Sequence, residues 1–354
     1  MRLAFSAEDV SRYPLLSSAL SRTNGSSHRR CRLHGGYMAR LFGFLGNRPD
    51  LGVKILEAES SLFEAKSAGR PLGWGVGYFQ GDEVLLRRRP LDERTVIPFA
   101  DVLRDVRTDA LLGHVRLATI GSLRTENTHP FRFRQWLFAH TGTLANFGVI
   151  RERLLNSLPE FLRRNLRGDT DSEVLFHVFL SFLHDGGKLQ LGQVNPADTR
   201  SALRSSLDLV QRLSAEEGVT ESGCNLLVTN GESMVGVHDR GGPFAYRALL
   251  GRQDLESLLG EDSLRKIRLP DMASCRFCSV AADFDGELPG HFTGINDRSI
   301  LTVTRTSDPV VEALLSSHAL SERCWQRSTD ACSWLPRWLL AHHGRVAAGC
   351  SAIR

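Results

Sequence analysis

His114 and Arg116 stand two positions apart in the run Leu111 to Thr119, so in an extended strand they share one face while Leu111, Val115 and Leu117 take the other. An arginine held at a strand end is suited to bidentate capture of a carboxylate. A solvent-facing strand edge would explain the same pair. What favours chemistry is the sequence that follows. A polar loop carrying Asn127, His129 and Pro130 precedes a second apolar run, Trp136 to Phe138, which ends in His140, Thr141 and Gly142. A glycine directly after a strand presents its backbone N–H to a ligand, because no Cβ stands in the way. Further on, Gly168-Asp169-Thr170-Asp171-Ser172-Glu173 opens a helical pattern. Thr170 and Glu173 have capping-box spacing, which leaves Asp171 as a first-turn acid favoured by the helix dipole or as the partner of a substrate ammonium.

Other reactive residue types are scattered. The seven cysteines, Cys31, Cys224, Cys275, Cys278, Cys324, Cys332 and Cys350, are odd in number and lack disulfide-framework spacing, which suits a reducing, cytoplasmic compartment. Cys275-Arg-Phe-Cys278 has the two-residue spacing of zinc and redox sites, but no second pair or histidine cluster lies nearby in sequence, and two thiols on or beside a strand is the favoured reading. His342-His343 reads as exposed. Ser60, Ser61 and Thr141 offer hydroxyls. No motif implies a metal or an organic cofactor.

The elements that must position these groups are legible from periodicity. Arg40 to Gly46 alternates Leu41 and Leu45 with Phe42 and Phe44 and reads as a central strand closed by Gly46, Asn47 and Pro49. Helical spacing over Gly52 to Lys66 stops at Gly69-Arg70-Pro71. Strands at Trp74 to Phe79 and Val84 to Arg88 are joined by a Gly-Asp hairpin turn. After the strands at 111–119 and 136–141, periodicity predicts helices near 150–165, 171–184 and 200–215. Strands return at Asn225 to Thr229 and Met234 to Asp239, then at Phe277 to Ala281 and Ser299 to Thr304. Strands in clusters with helices in blocks predict α+β architecture rather than alternating βαβ units.

Of 354 residues, 42% are hydrophobic and 24% charged, ordinary globular composition that excludes wholesale disorder and a coiled-coil rod. No stretch approaches the roughly 18 apolar residues of a spanning helix. The net charge of +4 resides in the first 37 residues, where six arginines face Glu8 and Asp9. The remainder carries 38 residues of each sign, which argues against a nucleic-acid partner. Residues 1–37 are rich in Ser and Arg and lack a secretory signal's apolar core, so they read as a disordered basic arm or as sequence upstream of the true start. The latter is favoured because Met38 opens directly onto the first strand. The tail from about 306 holds Trp325, Trp334 and Trp338; a docking helix at 308–318 is the one element its pattern suggests.

Six ordered motifs resemble the class II glutamine amidotransferases, closest to the single-domain bacterial members: Met38-Ala39-Arg40-Leu41-Phe42-Gly43-Phe44; Gly73-Trp74-Gly75; His114-Val115-Arg116-Leu117-Ala118-Thr119 with Gly121; Asn127-Thr128-His129-Pro130-Phe131; Phe138-Ala139-His140-Thr141-Gly142; and Gly168-Asp169-Thr170-Asp171-Ser172-Glu173. The resemblance covers residues 38 to about 305. It implies a four-layer αββα sandwich of the N-terminal-nucleophile hydrolase type and hydrolysis of the glutamine side-chain amide or of related γ-glutamyl amides. It also implies that Arg116 holds the substrate carboxylate and Asp171 its ammonium, with His129 and His140 lining the substrate. The Gly142 N–H and the side chain before it would hold the oxyanion.

The pattern breaks where the chemistry lies. The family nucleophile is a cysteine directly after the initiator Met, with its own α-amine as base; here that position is Ala39. The asparagine expected before Gly142 is Thr141, and the acid usual before Gly73 is Leu72. Loss of one oxyanion donor typically costs about 10²–10³ in rate, and loss of the nucleophile removes the covalent route. The expectation is a degenerate site that binds glutamine or a γ-glutamyl compound and regulates a partner protein. The alternatives are an active amide hydrolase with an unrecognised nucleophile or a processed N-terminus at Cys31, and a structural subunit with a relict pocket.

Overall fold

The computed structural model describes residues 39–60, 65–66, 72–94, 96–117, 124–218, 223–266, 272–284 and 286–314. Residues 1–38 and 315–354 lie outside them, and with them Cys31, His342-His343 and the tail tryptophans and cysteines.

In chain order the strands of the first half are β1 (Arg40–Gly46), β2 (Ala65–Lys66), β3 (Leu72–Gln80), β4 (Glu83–Asp92), β5 (Val96–Ile97), β6 (Ala110–Leu117), β7 (Phe131–Phe133) and β8 (Trp136–Gly142). Short helices α1 (Gly52–Ala58) and α2 (Phe99–Val102) are interleaved with them. A helical block follows: α3 (Phe147–Asn156), α4 (Glu160–Arg163), α5 (Asp171–Asp185) and α6 (Pro196–Glu216). Then come β9 (Cys224–Thr229), β10 (Ser233–Asp239), β11 (Phe244–Leu250), α7 (Gly251–Leu259), α8 (Glu261–Lys266), β12 (Arg276–Ala282), β13 (Thr293–Gly294), β14 (Ser299–Thr304) and β15 (Val310–Ala313).

Two antiparallel sheets result. The first has the order β13-β11-β12-β1-β6-β3-β4, and the second β15-β14-β10-β9-β8-β7. The period-two alternation of β1 explains its central place. Leu41 and Leu45 point into a core shared with Leu137, Ala139, Leu227, Met234 and Leu301 of the second sheet. Phe42 and Phe44 point the other way, against Ile55 and Leu56 of α1, Phe99 of α2 and Leu255 of α7. On the far side of the second sheet, Phe138, Leu226 and Val237 pack under Ile150 and Leu154 of α3, Phe176 and Phe179 of α5 and Leu203 of α6. Three apolar layers therefore separate four structural layers in the order α, β, β, α. Each fully buried Phe or Leu in them contributes about 1.5–3 kcal/mol relative to exposure.

The structure departs from the sequence reading in several places. The helix expected over 52–66 stops at Ala58, where Glu59 turns into a buried ion pair with Arg247 of β11 at 3.1 Å, and residues 65–66 are a strand paired with β5. The helix expected over 150–165 is divided in two, because Pro159 caps a new helix and cannot continue the old one. Residues 310–313 form an antiparallel edge strand on β14 rather than part of a helix; β-branched Val310 and Val311 pair with Thr302 and Leu301. The polar face of the 111–119 run is no solvent-facing edge: β6 lies between β1 and β3, and His114 is buried.

Candidate functional site

The candidate residues gather where one end of the first sheet meets one end of the second. In the first sheet, Arg40 pairs with Val115 and Gly73 with Arg116, so partly exposed Ala39, just before β1, lies level with Arg116 and Gly73. Leu72 is buried in the outer core. In the second sheet, Thr141 and Gly142 close β8 opposite Asn225 and Cys224 of β9. Gly142 is exposed and has φ +113°, and a Cβ there would lie 2.3 Å from the Gly223 carbonyl, so only glycine fits.

Arg116 and Asp171 are linked through the loop between β6 and β7. Half-buried Arg116 donates from Nη1 to the Asn127 carbonyl at 3.0 Å, and Arg88 of β4 donates to the next carbonyl, Thr128, at 3.1 Å. The Asn127 side chain accepts from the Asp169 N–H at 3.1 Å. That bond ties the loop to the turn that starts α5. Thr170 caps α5 by accepting from the Glu173 N–H at 3.2 Å, as its spacing predicts. Glu173 differs from a capping box: its carboxylate reaches past Thr170 to the N–H groups of Arg167 and Gly168, at 2.9 and 2.7 Å. Asp171, at the first position of α5 and partly exposed, accepts from the N–H groups of Leu144 and Ser172, both at 2.8 Å. It thereby fastens the chain after β8 to the helix while its carboxylate still has acceptor sites to spare.

Three histidines lie buried behind these groups. His129 packs against His114 with ring centroids 4.2 Å apart and planes tilted by 36°, and lies edge-on to Phe131. Its loop is seated so closely on β3 that a Cβ at Gly75 would lie 2.1 Å from the His129 carbonyl. His140 shares a 2.9 Å hydrogen bond through Nδ1 with the Ser172 hydroxyl, which itself lies 3.3 Å from Asp171. Among the described residues, neither nitrogen of His129 has a hydrogen-bond partner, nor does Nε2 of His114 or His140. Burial pushes the His114 imidazole down to about 3, helped by His140 and Arg116. It holds His129 well below the ordinary range and lowers His140 as well. All three are therefore neutral at pH 7. Among the described residues no group of three or more His, Cys, Asp or Glu is arranged to hold a metal ion.

Sequence reasoning missed Asp283. This residue follows the last β1–β12 pair, Leu41 with Ala282, which puts it beside the start of β1. It adopts a left-handed backbone, φ +56°, accepts from the Gly242 N–H at 3.0 Å, and takes a short hydrogen bond from the Thr141 hydroxyl. Burial raises its carboxyl, against the pull of Thr141, Asn225 and Gly242. Asn225 is fixed in turn, donating to the Gly242 carbonyl at 3.0 Å and bonded to His238 Nδ1 at 2.7 Å. The only sequence signal for Asp283 is an acid directly after a strand whose residues are apolar apart from Arg276 and Ser279.

The described cysteines stand apart from this constellation. Cys224 points into the core under the helices, where burial pushes its thiol up to about 12. Cys275 and Cys278, three residues apart, point into different cores, and burial raises both thiols.

Among known proteins, the Saccharomyces cerevisiae protein named "Probable glutamine amidotransferase DUG3" is 29% identical over 177 residues, 46% of this chain and 50% of that one. The Mycobacterium tuberculosis gamma-glutamyl-hercynylcysteine sulfoxide hydrolase is 30% identical over 116 residues, 30% of this chain and 50% of that one. The chain thus spans about half the length of the curated relatives it matches. A solved glutamine aminotransferase class-II domain protein from Silicibacter pomeroyi superposes with TM-score 0.49 at 18% identity, covering 78% of this chain and 99% of the other. Residues 55–268, which include the Arg116 strand, the His129 loop, the end of β8 and the Asp171 turn, match the family model described as class-II glutamine amidotransferases, and the chain belongs to that family.

Proposed function

We propose that this protein keeps the amino-acid recognition of its family and has lost efficient amide hydrolysis, so that it binds glutamine or a γ-glutamyl compound and regulates a partner protein. The observation that carries the reading is Ala39 at the start of β1, level with Arg116. In this reading Arg116 clamps the ligand carboxylate, Asp171 takes its ammonium, and His129 and His140 line the site. Gly142 offers its N–H to the side-chain carbonyl. Ala39 has no atom that can attack that carbonyl, and the Thr141 hydroxyl is turned to Asp283 rather than toward an oxyanion. Both the covalent route and one donor to the developing charge are then missing.

The described cysteines support the reading from the other side. A thiol raised by burial is a poor nucleophile at neutral pH, and Cys224 faces away from the site. Cys31 lies outside the described residues.

The test joins calorimetric binding of L-glutamine with ammonia release. The protein is expected to bind glutamine without releasing ammonia, and a chain begun at Met38 and carrying Ala39→Cys is expected to release it slowly. Turnover by the unmutated protein would overturn the degenerate reading. Absence of glutamine and γ-glutamyl binding would overturn the recognition role and leave a relict pocket.

A further inference from the structure

The corner beside Ala39 has a reversed polarity. At the position before Gly142, where the family resemblance expects an amide that donates to a carbonyl oxygen, stands Thr141, whose hydroxyl donates to Asp283, with the Asn225 carbonyl a more distant acceptor at 3.4 Å. Asp283 is 6% exposed, and its two oxygens separately accept from Thr141 and from the Gly242 N–H. Those two bonds favour the charged form of the carboxyl, against burial, which raises it. The corner therefore combines one donor, the Gly142 N–H, with one buried anionic acceptor. That combination is unsuited to an oxyanion and complementary to a primary or secondary amide, which carries a carbonyl to accept and an N–H to donate.

We propose that Asp283 is a specificity-determining residue that makes this site read its ligand's side-chain amide through the amide nitrogen, so that glutamine and γ-glutamyl amides are retained and glutamate is rejected. The inference rests on the binding role proposed above. A γ-carboxylate offers only acceptors, and placing it against a buried carboxylate brings like charges together with no donor between them. A site built to bond a ligand N–H discriminates strongly against the analogue that lacks it. His140, His238 and Cys224, titratable groups that interact with Asp283, do not reverse this, because burial keeps both imidazoles and the thiol neutral near pH 7.

The experiment is a calorimetric comparison of L-glutamine with L-glutamate on the full chain at pH 7.5, repeated with Asp283→Asn and with Asp283→Ser. The unmutated protein is expected to prefer glutamine by about 100-fold or more. Either variant is expected to narrow that preference to less than about tenfold, chiefly by strengthening glutamate binding. Glutamate binding as tightly as glutamine to the unmutated protein would overturn the proposal while leaving the recognition role standing. So would an unchanged ratio in a folded variant. Binding of neither ligand, nor of a γ-glutamyl amide, would overturn both. If neither variant folds, the ratio measured on the unmutated protein decides.

Discussion

In the proposed binding role Arg116 clamps the ligand carboxylate, and there it has two duties that can be separated. Its guanidinium supports the loop through the Asn127 carbonyl, one bond out of five available donors, and the remaining donors are free for a carboxylate. Arg116→Ala should weaken glutamine binding by about 100-fold, since truncating one partner of a half-buried charge pair costs about 2–5 kcal/mol. Arg116→Lys keeps the charge and loses the planar fork, and should fall between the two. Calorimetry beside a melting curve separates the duties: a parallel loss of Tm and affinity in the lysine variant would assign the arginine to scaffolding alone. Arg116, Gly142 and Asp171 were legible in the sequence because each sits at a fixed offset from a recognisable strand end or helix start. Asp283 was not, because its partner Thr141 is 142 positions away and nothing local to Ala282-Asp283-Phe284 encodes that meeting.

At the scale of elements, the loop before β7 joins Arg116 to the turn that carries Asp171. Asn127 is fully buried and its side chain satisfies the Asp169 N–H, so Asn127→Ala leaves that donor without its partner. The expected cost is about 1–3 kcal/mol of stability, with a loss of glutamine affinity larger than the change in Tm implies, because Asp171 is placed by the released turn. Equal affinity in the variant would show that the turn is held without the loop. Gly75→Ala tests the same loop from β3: a methyl group 2.1 Å from the His129 carbonyl forces backbone apart and should destabilise by at least about 1–3 kcal/mol, read as a lower denaturation midpoint. The long elements were readable where one period ran uninterrupted, as in β1, α5 and α6. The misreadings fell where a tertiary contact ended or replaced a local pattern. Glu59 leaves α1 for Arg247, and Val310-Val311 completes the edge of the second sheet. Strand β11, with the sequence Phe-Ala-Tyr-Arg-Ala-Leu-Leu, has no clean alternation and acquires its identity from pairing with β12.

For the molecule as a whole, the αββα layering follows from strands that are apolar on both faces, which the sequence does show in β1. Which strands become neighbours it does not show, and that register is what carries three histidines into the interior behind the site. Their burial makes stability depend on pH with a definite sign. An unfolded chain protonates histidine near its ordinary value of about 6.5, whereas burial holds His114 near 3 and lowers His129 and His140. Between those limits the unfolded state binds more protons than the folded one, so stability is fully present above pH 6.5 and is lost as pH falls. Each histidine that protonates only on unfolding contributes a slope of up to about 1.4 kcal/mol per pH unit. Glu59, Glu173 and Asp283, raised by burial, act in the opposite sense, because they take up protons more readily when folded; that offset starts in the ordinary carboxylate range and extends upward from it. The upper part of the window from pH 7 to about 5.5, furthest from the carboxylate range, reports mainly on the histidines. Urea midpoints should fall steadily across it. His129→Phe should flatten the slope by one histidine's share, since neither nitrogen of His129 has a partner to lose among the described residues and a ring still fills the space beside His114 and Phe131. A midpoint that stays constant from pH 7 to 5.5, or a slope untouched by His129→Phe, would mean that the cluster accepts protons in the folded state, and with them a charge beside Arg116 that would disfavour a second cation there.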